Sequence, residues 1–442
     1  MSPAQTPTAP VVDETYLVNV TSDVNSNKFY RATLYADGTV RKNWGRVGAD
    51  GQVSVSSGGR SAYDSIVTQK LGRGYSRVDV VAPEKGAASA SSARLKAAAS
   101  VLADGSSDPI LTGLIERLVS ANKHQILEAS GGMISVDLAG KVTTPLGAVS
   151  AASLTRARAL LGELVEAPTD RDRATLTESF LRHVPQQVPV RAGRGWASNW
   201  ITQLTSAEKQ YALLDALDAT VRYADAAAAA QAGGSEGTVA DVFRYRVRVV
   251  DPASAEFAMV TARYEDTKQS VHLSASRRIA RVFALEDRRH GDEIAATAAR
   301  VRNVHRYWHG TGAANVLSIL ARGLYVPPVK GSGIHIAGRM FGDGVYLSRS
   351  STKSLNYSTG FWGGSRAGST FMFLTETAMG NEYRPGAQYS PRIPALARSS
   401  KDARGQSYDS INVKPGTGGV RNHEAIVWDP MQVKLAFLVE FD

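Results

Sequence analysis

The 442-residue chain contains no cysteine. Disulfide bridges and cysteine-ligated zinc sites are therefore excluded, and no metal centre is expected. No apolar run reaches the ~18 residues that cross a bilayer, so no spanning helix and no membrane partner are expected. Residues 1–12 are rich in Pro, Ala and Thr and lack a cationic start followed by an apolar stretch. They read as a flexible tail, not an export signal. No dense Lys/Arg run suggests nuclear import, and there are no internal repeats. An intracellular protein is expected, in the cytoplasm or nucleoid of a bacterium or the nucleus of a eukaryote.

What is present is an ordinary globular balance, 43% hydrophobic and 21% charged. That fits packed domains and not a disordered chain. At roughly 100–200 residues each, two to four domains are expected. Lys and Arg number 51 against 41 Asp and Glu, a net charge of +10. A basic chain attracts polyanions, nucleic acid among them. The charge is uneven. Residues 24–78 hold nine Lys or Arg against three Asp, whereas 93–234 hold 14 of each sign.

Residues 13–82 read as a small β-rich domain. Tyr16-Leu-Val-Asn-Val20 and Phe29-Tyr-Arg-Ala-Thr-Leu-Tyr35 have strand character, and Asp37-Gly38 and Asp50-Gly51 are turn signals. Ser61–Leu71 reads as a short helix ended by Gly72 and Gly74. Residues 83–92 look like a linker. Residues 93–234 carry helical stripes at 110, 111, 114, 115 and 118, at 154, 157, 160, 161, 164 and 165, and at 212, 213, 214, 217 and 221. They predict an all-α bundle. Residues 235–442 are mixed: strands over Val242–Val250, Arg278–Leu285, Phe371–Leu374, Ala425–Trp428 and Val433–Phe441, a helix over Asp292–Arg302, and a long Pro/Gly/Ser-rich loop at 384–422.

Three segments of the last block stand out. They are Tyr307-Trp-His-Gly-Thr311, Gly338-Arg-Met-Phe-Gly-Asp-Gly-Val-Tyr-Leu-Ser348 running into Thr352-Lys-Ser-Leu-Asn-Tyr357, and Asn422-His-Glu-Ala-Ile-Val-Trp-Asp429. Singly, His309 reads as a turn residue, Tyr346 and Tyr357 as core aromatics, Ser354 as a helix cap and Glu424 as a strand-end charge. Together and in this order, they resemble the catalytic domain of the poly(ADP-ribose) polymerases. That family carries a His-Gly turn, a Gly-(Ile/Val)-Tyr strand end, a Lys-Ser-x-Asn-Tyr helix start and an Asn-Glu-x-Ile-Val-Tyr-Asp-type strand. Here the last is altered, with His423 before the Glu and Trp428 for the Tyr.

The resemblance implies a mixed, mainly antiparallel ADP-ribosyltransferase domain that consumes NAD+. Tyr346 and Tyr357 fall on the positions that sandwich the nicotinamide ring, and a cationic pyridinium suits aromatic faces. Gly310 and Ser354 fall on the positions that hold the carboxamide, and Lys353 joins the cofactor-binding set. His309 falls on the residue that binds a ribose hydroxyl. Nicotinamide departure leaves an oxocarbenium-like centre, which a carboxylate can stabilise while it activates the acceptor; Glu424 is the match. His309, Tyr346 and Glu424 thus form the His-Tyr-Glu set of chain-elongating members. The donor loop departs from the family, with Tyr325 where an Arg is frequent and Arg339 where an aromatic is frequent. His335 in that loop reads as a surface residue.

The helical block resembles the regulatory helical domain of DNA-dependent members. Thr144-Pro-Leu-Gly-Ala-Val-Ser150 matches its Pro-Leu-Gly-x-Leu-Ser segment, and Ser179-Phe-Leu-Arg-His-Val-Pro185 matches a helix ending in an Ile-Pro stop. The N-terminal block resembles a WGR domain through Asn27-Lys-Phe-Tyr30, Trp44-Gly-Arg-Val-Gly48 and Lys70-Leu-Gly-Arg-Gly-Tyr75. Such domains bind DNA breaks. Trp44 and Arg46 fall on the matching positions, with Arg41 and Lys42 beside them for phosphates.

The expected protein is an α+β multidomain monomer of three parts: a WGR domain, a helical regulatory domain and a transferase. It would be switched on by DNA ends or nicks and would modify itself and other proteins. Three other readings stay open on sequence: a mono-ADP-ribosyltransferase acting on protein or DNA ends, an NAD+ glycohydrolase, and a catalytically inert DNA-end scaffold.

Overall fold

The computed structural model describes residues 7, 9–21, 26–47, 51–77, 80–81, 108–136, 142–144, 147–189, 192–231, 243–326, 340–359 and 370–442. The expected linker at 83–92, residues 93–107 of the helical block, and His335 and Arg339 of the donor loop lie outside them, as does most of the expected tail. The described residues form two compact units. One is built from parts of 1–91 and 122–224, the other from parts of 92–121, 225–327 and 337–442.

The first unit begins with strands β1 (Val11–Thr21), β2 (Ser26–Tyr35), β3 (Thr39–Arg46) and β4 (Gln52–Ser57), helix α1 (Gly59–Gly72) and strand β5 (Ser76–Arg77). The strands form an antiparallel sheet in the order β4-β3-β2-β1-β5. The Asp37-Gly38 turn joins β2 to β3: Gly38 adopts φ +79°, and the Asp37 carboxylate accepts from the Thr39 amide at 2.9 Å. Because side chains alternate along a strand, the sheet has two apolar faces. Leu17, Tyr30, Ala32, Leu34 and Val40 pack with Tyr63 and Val67 of α1. Tyr16, Val18, Val20 and Phe29 pack into a core shared with the helices that follow.

Those helices are α2 (Pro109–Ala129), α3 (Ala151–Glu166), α4 (Asp170–His183) and α5 (Ala207–Gln231). Ser150 caps α3 by accepting from the Ser153 amide at 3.1 Å, and Thr169 caps α4 in the same way. The predicted stripe of α3 is the buried one: Leu154, Ala157, Leu160, Leu161, Leu164 and Val165. The structure adds a small antiparallel sheet to this block, from β6 (Val80–Val81), β7 (Ser135–Val136), β8 (Val142–Thr144) and β9 (Gly147–Val149) in the order β6-β9-β8-β7. Two- and three-residue strands are too short to show a period. Residues 13–77 and 122–224 thus share one core and one unit, and α2 divides between the units after Ala121.

The second unit holds β10 (Tyr245–Val249), α6 (Ala255–Asp266), β11 (Ile279–Asp287), α7 (Gly291–Val301), β12 (Val304–Gly310), α8 (Ala313–Arg322), β13 (Val345–Leu347), α9 (Ser351–Ser358), β14 (Thr370–Ala378), β15 (Glu382–Tyr383), α10 (Ile393–Ser399), β16 (Ser410–Val413), β17 (Glu424–Val427) and β18 (Val433–Phe441). One antiparallel sheet has the order β10-β11-β18-β14-β12; the other is β13-β17-β16-β15, parallel only at β15–β16. The expected long loop thus contains a helix and a strand. On one face of the larger sheet Trp308, Met372, Leu374, Phe437, Val439 and Phe441 pack with Val260 and Tyr264 of α6. The register puts Tyr307, His309, Phe373, Leu438 and Glu440 on the opposite face.

Candidate active site

The two sheets of the second unit meet where Trp308 and Ser348 exchange backbone hydrogen bonds of 2.8 and 3.0 Å. This junction brings together the three segments singled out in the sequence. His309 is the penultimate residue of β12. Its Nδ1–H donates to the Tyr346 carbonyl oxygen at 3.0 Å, since a carbonyl can only accept. That bond fixes the tautomer and leaves the Nε2 lone pair as an acceptor. Burial lowers the imidazole pKa, with Lys353 adding to the effect, so the neutral ring is favoured.

Gly310 has no alternative. A Cβ there would sit 1.7 Å from the Ser354 carbonyl oxygen, because α9 lies directly against the end of β12. The Thr311 amide donates to Ser358 Oγ at 3.1 Å, and Ser354 Oγ donates to the Trp308 carbonyl at 3.2 Å. The buried Ser354 hydroxyl therefore has its proton engaged, and its oxygen lone pairs remain as acceptors. Tyr346 is pinned at its far end. Its hydroxyl accepts from the Phe341 amide and donates to the Gly342 carbonyl, both at 2.8 Å.

Ser350 caps α9, and the helix then presents Lys353 and Tyr357 one turn apart. The Lys353 ammonium lies 2.5 Å from Glu424 Oε2 and 5.4 Å from the centre of the Tyr357 ring. Tyr357 is 47% exposed, whereas Lys353 one turn earlier is buried. Glu424 begins β17 and pairs with Val413 of β16, while the next residue, Ala425, pairs with Leu347 of β13. Burial raises its carboxyl pKa, and the Lys353 charge opposes that rise. The structure thus gathers His309, Gly310, Tyr346, Lys353, Ser354, Tyr357 and Glu424 around one junction.

Two neighbours of this cluster were not singled out from sequence. His423 is buried behind Glu424 and stacks on Tyr307 at 5.4 Å and 23°. Arg398 of α10 lies over the Trp428 ring at 4.9 Å, which gives the exchanged aromatic of that motif a local partner. The only signal for either was the altered spelling of the Asn422–Asp429 segment. A separate groove of about 490 Å³ crosses the far face of the larger sheet. Its arginines and lysine are already engaged, as Arg248–Glu256, Arg246–Glu286, Arg306–Glu376 and Lys434–Glu376. Among the described residues no group of three or more His, Asp or Glu is placed to hold a metal ion, and no helix is long and apolar enough to cross a membrane.

In the first unit the four residues expected at DNA lie on β3, but not on one face. Lys42, Trp44 and Arg46 alternate with Arg41. Trp44 is half-buried and stacks on Tyr30 at 6.0 Å and 22°. The Lys70 ammonium sits 4.2 Å from the Tyr30 ring and 5.5 Å from that of Tyr75. Arg46 donates from Nη2 to the Val188 carbonyl at 3.3 Å, and Asn27 Nδ2 donates to the Gln186 carbonyl at 3.1 Å.

Comparison with known proteins adds to this geometry. The family model described as the poly(ADP-ribose) polymerase catalytic domain matches residues 254–442, and the WGR domain model matches 13–80. A poly [ADP-ribose] polymerase-like protein, 100L of invertebrate iridescent virus 6, is 30% identical over 131 residues, covering 30% of this chain and 67% of its own length. The chain belongs to the poly(ADP-ribose) polymerase family. Poly [ADP-ribose] polymerase 1 of Danio rerio is 25% identical over 323 residues, 67% of this chain. The match spans only 30% of that longer polymerase. Protein mono-ADP-ribosyltransferase PARP3 of Mus musculus is 29% identical over 168 residues, 38% of this chain and 29% of its own. In the polymerase family's terms, the matched catalytic domain contains every residue of the cluster at the sheet junction, and the matched WGR domain contains β3.

Proposed function

We infer that the chain is an NAD+-dependent ADP-ribosyltransferase that builds poly(ADP-ribose) on itself and on other proteins in response to DNA ends. The observation that carries the reading is the His309–Tyr346–Glu424 set, assembled with Lys353 and Tyr357 at the junction of the two sheets.

The chemistry follows from the side chains. Tyr346 and Tyr357 offer aromatic faces to the cationic nicotinamide. The neutral His309 accepts a hydrogen bond from a ribose hydroxyl at Nε2 and so orients the sugar. The bond from C1′ to the nicotinamide nitrogen breaks with its electron pair leaving on nicotinamide. Positive charge develops at C1′, and the Glu424 carboxylate stabilises it. An acceptor hydroxyl then bonds to C1′ and gives up its proton, with Glu424 as base. Lys353 keeps that carboxylate ionised in a buried place. When the acceptor hydroxyl belongs to an attached ADP-ribose unit, the product is a polymer.

The first unit supplies the DNA-sensing part of the reading. One face of its sheet pairs an aromatic cluster of Tyr30, Trp44 and Tyr75 with Lys70 and Lys42, a combination suited to stacking and phosphate contacts, while Arg41 lies on the opposite face. The sheet's other face shares a core with α3, α4 and α5. A load at the sheet is then felt by the helical segment, the physical requirement for coupling two sites. Incubation with labelled NAD+ and blunt duplex, followed by a denaturing gel, tests the product. A high-mass smear supports polymer formation; a single discrete shift, or free ADP-ribose alone, refutes it.

A further inference from the structure

His423 interrupts the family spelling immediately before Glu424, and none of the steps above uses it. It is 6% exposed, and both its ring nitrogens are spent. Nδ1 accepts from the Arg349 backbone amide at 3.1 Å, so it carries no proton. Nε2–H therefore donates to Asn412 Oδ1, also at 3.1 Å. The Asn412 side chain in turn hydrogen-bonds to the Glu382 carboxylate. That carboxylate is 5% exposed and is held by Arg384 at 2.7 Å and by Asn303 Nδ2 at 3.3 Å. Every donor in the series points one way, from the Arg349 amide through His423 and Asn412 to a buried anion. Such a chain tolerates one tautomer of His423 and one orientation of Asn412.

The main chain is fixed at the same place. Ser348 Oγ donates to the His423 carbonyl oxygen at 2.6 Å, and Ser348 is itself bound to Trp308 across the sheet junction. The peptide entering Glu424 is thus held through its oxygen and through its side chain, while the ring stacks on buried Tyr307. Burial, with Arg349 and Lys353 nearby, lowers the imidazole pKa to about 3, in keeping with a ring that never charges.

We propose that His423 is a positioning residue for the transfer step: its two fixed hydrogen bonds and its stack on Tyr307 hold the Glu424 carboxylate in register with His309 and Lys353. The chemistry needs such rigidity, because a displacement of about 1 Å in a reacting group costs up to about 100-fold in rate. The proposal rests on the reading that Glu424 is the reacting carboxylate.

The test uses the full chain with labelled NAD+. His423→Ala, His423→Asn and Asn412→Ala are each made alone and on Glu424→Gln, and kcat, KM for NAD+ and the melting temperature are recorded. His423→Ala is expected to lower kcat about 10- to 100-fold with KM little changed. His423→Asn, which keeps an acceptor for the Arg349 amide, is expected to recover most of the loss. On Glu424→Gln, His423→Ala is expected to cost nothing further, since it acts through that carboxylate. If His423→Ala does not fold, His423→Gln replaces it: its longer amide reaches Asn412 but leaves the Arg349 amide unpaired, and its kcat is expected below that of His423→Asn. An equal loss on both backgrounds, or a lowered melting temperature with kcat intact, overturns the proposal alone. Wild type that releases no nicotinamide, or Glu424→Gln as active as wild type, sinks the reading of Glu424 and the proposal with it.

Discussion

Lys353 Nζ lies 2.5 Å from Glu424 Oε2, with both side chains nearly closed off from water at 11% and 13% exposure. The pair sets the protonation of the site. Burial raises the Glu424 carboxyl and Lys353 pulls it back, the net shift being upward. The reacting form is the carboxylate, so activity is expected to fall as pH drops through a pKa raised above the ordinary Glu value. Lys353→Met removes the opposing charge and is expected to move this acid limb to higher pH. The measurement is kcat/KM for NAD+ against pH; an unmoved limb contradicts the coupling.

Gly310→Ala places a methyl 1.7 Å from the Ser354 carbonyl oxygen and 2.5 Å from its carbon, both helix backbone that cannot step aside. The expected result is α9 pushed off β12, a stability loss of about 1–3 kcal/mol or more, and a drop of at least about 100-fold in turnover from the displaced Lys353 and Tyr357. Thermal melting together with nicotinamide release checks both; full activity at a normal melting temperature is incompatible with the geometry.

Arg117 of α2 reaches the Glu440 carboxylate, with Nε 2.7 Å from Oε1 and Nη2 donating to Oε2 at 3.0 Å; Arg281 approaches the same group at 3.2 Å. The Glu440 side chain is 4% exposed, and it shares its sheet face with His309. Arg117→Ala leaves a buried carboxylate with one cation. It is expected to destabilise by about 3 kcal/mol, the low end for a broken buried pair because Arg281 remains. Denaturant titration reads the loss, and adding Glu440→Gln is expected to restore part of it. A double variant weaker than Arg117→Ala alone contradicts the pairing.

Several single elements were legible because their signals are local. The Asp37-Gly38 turn, the α3 stripe from Leu154 to Val165 and the strand over Val433–Phe441 are each written in a dozen residues or fewer, and the structure has them. The cluster of His309, Tyr346, Ser354, Tyr357 and Glu424 was legible through motif spelling, although no spacing along the chain says that β12, α9 and β17 converge. The contacts between distant segments were not legible. Arg117 with Glu440 and His423 with Asn412 are polar pairs with no periodicity to betray them. The two- and three-residue strands β6 to β9 and the helix α10 inside a Pro/Gly/Ser-rich stretch were missed because local composition there favours loops. The stack of half-buried Trp44 on Tyr30 is a further tertiary contact that the motif does not spell out.

Acid stability follows from the buried imidazoles. His423 titrates near 3 in the folded chain, lowered by burial, Arg349 and Lys353, and near 6.5 when unfolded. Below about pH 6.5 the unfolded chain takes up a proton that the folded site refuses. Stability is therefore full above that pH and falls as pH drops, by at most about 1.4 kcal/mol per unit for this group. His309, also lowered by burial, adds in the same direction. His423→Asn is expected to flatten the decline of melting temperature between about pH 6.5 and 4. An identical slope in variant and wild type contradicts the buried neutral ring.

The most direct test of the account is the rate of nicotinamide release from NAD+ by the full chain and by Glu424→Gln, each with and without a blunt DNA duplex. The expected result is release by wild type that the duplex stimulates and that Glu424→Gln lowers by about 100-fold or more. Release that ignores the duplex would remove the DNA switch, and release untouched by Glu424→Gln would contradict the catalytic assignment at the centre of this reading.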